Sequence, residues 1–157
     1  MRSLCAIPLV VLALCQMPVK AVAQTVYAAG GVGPTPVLDG QSGNRNWFGM
    51  VGYRGPHALG GRLSGSETVS RLWLSADLTV EPWAHGRTLR PYLLVGGGVV
   101  ADFSEKDPLL SAGAGVRGRL SRLVFAFLEA RVHAVLGAAA SGPDAILPIT
   151  IGIGVGR

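Results

Sequence analysis

The sequence predicts an all-β fold: an eight-stranded antiparallel up-and-down transmembrane β-barrel with a polar lumen filled by side chains. Three observations predict it, namely a two-residue alternation of polar and apolar positions, alternating stretches of membrane-spanning length, and apolar faces almost free of charge. The alternation is clearest from Ser70 to Glu81. There Arg71, Trp73, Ser75, Asp77, Thr79 and Glu81 fall on one face of an extended strand, and Leu72, Leu74, Ala76, Leu78 and Val80 on the other. A tilted strand needs about 9 to 11 residues to cross a bilayer, whereas ordinary soluble strands average about 5 to 6. The strip meets the longer requirement.

Residues 1–23 read as a secretory signal peptide cleaved after Ala23, which leaves 24–157 as a single β-barrel domain. Arg2 supplies the positive start, Leu4 to Cys15 the apolar stretch and Ala21-Val22-Ala23 the small-x-small cleavage site. The apolar run is too short for a transmembrane helix and is interrupted by Pro8 and flanked by Pro18. Cys5 and Cys15 both lie inside the signal, so the mature chain carries no cysteine and needs another source of stability, either a soluble core or a closed ladder of hydrogen bonds. Leu12-Ala13-Leu14-Cys15 also resembles a lipoprotein box, with Leu14 where a small residue is usual.

Without Arg2 and Lys20, twelve cationic side chains face nine carboxylates, a net charge of +3, and Lys106 is the one lysine among them. So modest an excess, without clustered basic patches, argues against nucleic acid as a partner.

Alternation and turn residues together mark eight strands. The first two run from Val26 to Gly33 and from Asn46 to Tyr53, separated by a loop rich in Pro, Gly, Asn and Ser at 34–45. A tight turn at 54–57 leads into a third strand, Ala58 to Ser64, and the strip from Ser70 to Glu81 is the fourth. Leu89 to Ala101, Leu109 to Leu120, Leu123 to Leu136 and Ala145 to Val155 complete the set. With the N-terminus inside, the external connections would be 34–45, 65–69, 102–108 and 137–144, and the shorter internal ones 54–57, 82–88 and 121–122.

Alternation alone does not say which face is inside, since a soluble barrel or sandwich shows the same period with the faces reversed. A polar interior is favoured by the apolar faces of the last two strands: Val124, Ala126, Leu128, Ala130, Val132 and Ala134 in one, Leu147, Ile149, Ile151, Ile153 and Val155 in the other. It is also favoured by the pairing of arginine with carboxylate on the polar faces. Arg62, Arg71, Asp77, Glu81, Arg90, Arg117, Arg119, Glu129, Arg131 and His133 would project into one lumen and form a salt-bridge network there. An eight-stranded barrel is just wide enough to be plugged in this way. Aromatics near strand ends suggest interfacial girdles, with Tyr27, Tyr53, Trp83 and Tyr92 at one end and Phe48 and Phe103 at the other. Phe125 and Phe127 share the parity of Glu129 and fall on the lumen side.

Two segments carry a resemblance to a known family. Arg90-Pro91-Tyr92-Leu93-Leu94-Val95-Gly96-Gly97-Gly98-Val99 is similar to a P-Y-x-x-x-G-x-G strand, and Leu147 to Val155 to a closing P-x-x-x-G strand, of small outer-membrane β-barrel proteins of the OmpA/OmpX type. The resemblance spans 24–157 and implies a bacterial outer-membrane location, with outer-membrane lipid and the barrel-assembly machinery as partners. Such barrels usually end in an aromatic residue, whereas this chain ends Val155-Gly156-Arg157.

Catalytic and cofactor motifs find little support. Gly113-Ala114-Gly115-Val116-Arg117-Gly118 matches a dinucleotide fingerprint formally, but within an alternating strand and not at a strand-to-helix turn. Some barrels of this size modify lipid A with a serine activated by histidine; here His57, His85 and His133 lie in no His-x-Ser pair, although Ser111 and His133 remain the residues such an enzyme would use. The residues imply no catalytic site, cofactor or metal. Three readings stand: a non-enzymatic outer-membrane barrel with a structural or surface-interaction role and an unspecified surface ligand, a soluble exported barrel holding an apolar ligand, and an outer-membrane lipid-modifying enzyme.

Overall fold

The computed structural model describes residues 25–36, 44–55, 58–68, 71–82, 88–101, 106–136 and 145–156. The expected signal peptide, with Cys5 and Cys15, lies outside the described residues. So do Trp83, Phe103, His57 and His85.

The described chain is strand and turn. Nine strand segments follow in order: β1 (Thr25–Thr35), β2 (Asn44–Arg54), β3 (Leu59–Thr68), β4 (Arg71–Val80), β5 (Leu89–Ala101), β6 (Lys106–Arg119), β7 (Val124–Val135), β8 (Ala145–Ile146) and β9 (Ile149–Gly156). Every segment from β1 to β7 pairs antiparallel with its successor, and β9 returns to pair with both β7 and β1. The sheet thus closes on itself in up-and-down order, which removes free edges. β8 and β9 are one stave interrupted at Leu147-Pro148. Proline has no N–H to give the ladder, yet its carbonyl still accepts Arg131 N at 3.0 Å, and the pairings His133 with Ile146 and Ala130 with Ile149 keep the same register on either side. The barrel therefore has eight staves.

One end of the barrel holds Thr25, Gly156, the turn at 120–123 and the last residues of β2 and β4; it is called the terminal end below, and the opposite end the distal end. The third strand begins one residue later than expected, because Ala58 adopts a left-handed turn conformation with φ 63°. Strands also run further at the distal end than expected. Ser64, Ser66 and Thr68 are all buried, so the alternation continues to Thr68 and leaves two residues, 69 and 70, between β3 and β4. The supposed loop at 65–69 is mostly strand, and β1, β2 and β6 likewise extend into the regions assigned to 34–45 and 102–108. The contrast between long and short connections is weaker than the sequence suggests.

The two faces of the wall differ completely. Leu63, Leu78, Val95, Ile151 and Ile153 are each at least 60% exposed, and with their neighbours they coat the outside. Among the described residues, the charged side chains at outward positions are Arg45, Glu67 and Lys106, all at the distal rim. Between that rim and the terminal end the outer surface carries no charge. A soluble barrel with an apolar interior is excluded by this orientation.

Candidate functional site

The lumen is the site of highest chemical density. Its centre holds two arginines and two carboxylates, all buried. Arg62 on β3 and Glu129 on β7 form a bidentate pair, with Nη1 donating to Oε2 at 2.6 Å and Nη2 to Oε1 at 2.8 Å. In an eight-stave barrel β3 and β7 are four staves apart in either direction, so this pair crosses the lumen from wall to wall. Arg131 adds two further bonds to Glu129 Oε1, from Nε at 3.1 Å and Nη2 at 2.8 Å. The Tyr92 hydroxyl donates to Glu129 Oε2 at 2.7 Å.

Asp77 is bound as fully. Arg62 Nε lies 3.2 Å from its Oδ2, as does Arg131 Nη1, and the hydroxyls of Ser64, Ser75 and Ser111 donate to it at 3.1, 3.3 and 2.8 Å. Two positive and two negative groups balance, and nearly every lone pair is used. That is the condition under which charges tolerate exclusion from water. Glycine makes space for the arrangement. A β-carbon on Gly96 would meet Asp77 and the Ala76 carbonyl, and one on Gly98 would meet the Leu74 carbonyl. This gives a physical reason for the two glycines of the P-Y-x-x-x-G-x-G strand.

Nearer the terminal end a second group forms around Glu81, which accepts from Arg54 Nη1 at 3.0 Å and Arg117 Nη1 at 3.3 Å. The Arg117 guanidinium also sits 4.4 Å from the Tyr27 ring centroid and 4.6 Å from that of Phe125. Of the ten residues assigned to the lumen network, Arg62, Asp77, Glu81, Arg117, Glu129, Arg131 and His133 are buried inside. Arg71 and Arg90 lie on the same inward face but are half-buried near opposite ends. Arg119 departs from the expectation. It has inward parity, but it is the last residue of β6, where the wall ends, so it is exposed and donates from Nε to the Ser121 carbonyl at 3.0 Å.

Sequence reasoning missed several participants: Arg54, Tyr92 and the serines at 64, 75 and 111. It also misplaced aromatics. Tyr27, Phe48 and Tyr92, expected in girdles, are buried in the lumen. Tyr27, Phe48, Met50, Phe125 and Phe127 pack together on the β1, β2 and β7 walls, while Trp73, Val100, Leu109 and Ile146 form a second apolar layer toward the distal end. Among the described residues, the exposed aromatics are Trp47 and Tyr53, near opposite ends of β2. Parity, not distance from a strand end, decides which rings meet the outside.

His133 stands across the β6–β7 ladder from Ser111 and packs on Trp73, with ring centroids 5.5 Å apart. The Ser111 hydroxyl, however, gives its proton to Asp77, and both residues are buried within the wall. The geometry gives a serine nucleophile neither its base nor access to lipid. Gly113 and Gly115 face inward within β6, and a β-carbon at Gly115 would meet the Tyr92 ring, so the formal dinucleotide fingerprint is strand that leaves room for packing. Among the described residues no group of three or more His, Cys, Asp or Glu is placed to hold a metal ion.

Solved structures share this architecture. Neisserial surface protein A superposes with a TM-score of 0.68 at 14% identity, covering 87% of this chain and 99% of that one. The N-terminal β-barrel domain of Pseudomonas aeruginosa OprF gives 0.66 at 17% identity, covering 88% and 100%. Ail, the attachment invasion locus protein of Yersinia pestis, seen in complex with the heparin analogue sucrose octasulfate, gives 0.58 at 13% identity, covering 87% and 100%. No protein-family model matches the chain, and no curated protein matches it by sequence. The fold is that of the small eight-stranded outer-membrane β-barrels.

Proposed function

We propose that this chain is an integral barrel of the bacterial outer membrane, exported by residues 1–23, with a structural or surface-interaction role and no catalytic one. The observation that carries the reading is the outer wall: an apolar surface uncharged from the distal rim to the terminal end, around a lumen plugged by balanced ion pairs. Water is a poor solvent for such a surface and lipid a good one. The barrel's partners are then outer-membrane lipid and the assembly machinery that inserts it, with the terminal end toward the periplasm.

The structural half of this role has the stronger support, since β3 and β4 are joined by only two residues at the distal end. The surface half draws on Ail, a barrel of this fold that binds a heparin analogue. Expression in a Gram-negative host tests the reading. The protein should fractionate with outer membranes, resist carbonate extraction and migrate differently on detergent gels with and without heating. A freely soluble periplasmic product would overturn it.

A further inference from the structure

The terminal mouth of the barrel concentrates positive charge. Arg54, Arg90, Arg117, Arg119 and Arg122 all line one open recess of about 230 Å³ there, bounded also by Tyr27, Ser121 and Phe125. Among the described residues, Glu81 is the one carboxylate near this end, and it is shared between Arg54 and Arg117. The distal end differs: Glu67 and Asp107 accompany Arg45, Arg71 and Lys106 there, so charge is polarised along the barrel axis. A modest net charge over the whole chain conceals this.

A second observation is that two residues lining the recess carry buried donors that are unpaired. The Tyr27 hydroxyl and Arg117 Nε both belong to residues that line it, are buried, and have no hydrogen-bond partner. Buried donors are rarely left unsatisfied, and an unfilled donor beside several guanidinium groups calls for an acceptor that is anionic. Planar guanidinium forks match the oxygens of a phosphate group in particular.

The surroundings add a lipid character. Leu120 and Leu123 flank the Ser121-Arg122 tip and are 66% and 54% exposed, with Leu89 at 62% on the adjacent strand. Apolar side chains beside arginine suit the boundary between acyl chains and headgroups, where long cationic side chains reach the polar layer. We propose that this recess is a binding site for a phosphate group, supplied by the headgroup of an anionic phospholipid in the leaflet that the terminal end faces. Phosphate recognition depends on the arginine recess; the lipid source rests on the membrane reading above.

The test uses the full mature barrel, refolded into nanodiscs of phosphatidylcholine doped with phosphatidylglycerol, and in parallel in detergent with inorganic phosphate alone. Retained phosphatidylglycerol is counted by native mass spectrometry. Arg119→Gln with Arg122→Gln removes two rim charges that the lumen network does not use, and Arg45→Gln alters the distal rim as a control. The expected result is selective retention of phosphatidylglycerol, weakened by roughly thirtyfold in the double variant and unchanged in the control. Binding of inorganic phosphate as tight as that of the lipid supports the phosphate site and overturns the lipid source. Equal retention in all three proteins, or none in the parent, overturns the proposal. Heat-dependent gel migration of each variant keeps a loss of binding distinct from a loss of the barrel.

Discussion

Phe127 stands directly across the β7–β9 ladder from Gly152, and its ring occupies the space that a side chain on Gly152 would need. Phe125 is placed over Gly154 in the same way, Tyr27 over Gly52 and Tyr92 over Gly115, each across its own ladder. Each of these rings thus lies over a position where the neighbouring strand has no side chain, and the glycine gives it room within the narrow lumen.

Valine at Gly152 is therefore expected to disturb the backbone of the wall as well as the ring packed over it. Its β-carbon would lie 2.6 Å from Phe127 Cε1 and would also meet the Gly30 carbonyl, which has no room to retreat. Gly152→Val should cost about 3 kcal/mol or more, at or above the top of the usual range for an added group, because backbone as well as side chain must move. Phe127→Ala in the same chain should recover only part of it. Urea unfolding in vesicles, read by heat-dependent gel migration, measures both.

The central network predicts strong non-additivity. Arg62→Met leaves Glu129 and Asp77 with Arg131 as their remaining cation, a net negative charge in a sealed lumen, and should cost roughly 3–5 kcal/mol. Glu129→Gln leaves an excess positive charge and should cost a similar amount. Combining them restores neutrality with Arg131 and Asp77 still paired, so the double variant should be less damaged than the sum of the singles by about 1–3 kcal/mol. Additive costs would mean that the charges act independently.

The wall was legible in the sequence and the lumen contacts were not, for a physical reason. Strand parity is local, so Asp77, Glu81 and Arg131 reveal their face from neighbours two residues away. Which groups meet across the lumen depends on closure. Arg62 and Glu129 are 67 positions apart and become partners only when the eighth stave returns to the first. Arg54 was hidden by its position beside a turn, although its inward parity with Met50 and Gly52 gave a signal. The misplaced rings had a signal too, since Tyr92 is in phase with Arg90, and Gly115 faces it on the next strand.

Tryptophan fluorescence separates the two faces directly. Trp47 is 70% exposed on the outer wall and Trp73 is 2% exposed in the lumen. With Trp83 replaced by Phe in both, a chain retaining only Trp47 should be strongly quenched by brominated lipids. One retaining only Trp73 should be nearly unaffected. Equal quenching would place Trp73 against lipid and contradict the inward polar face of β4.

Leu74 gives the most direct test of what the outer wall faces. It projects outward near the middle of β4, between the inward Trp73 and Ser75. Arginine there would sit in hydrocarbon, at a cost that approaches the roughly 2–4 kcal/mol of the bilayer midplane, whereas Leu123→Arg in the turn at the terminal end should cost about 0–1 kcal/mol. The difference would disappear for a barrel surrounded by water, since an exposed arginine is readily solvated. Reversible unfolding of both variants in vesicles reads the two costs, and insertion into outer membranes in cells should fall for Leu74→Arg alone. Equal stability of the two would show that the apolar wall is not buried in lipid.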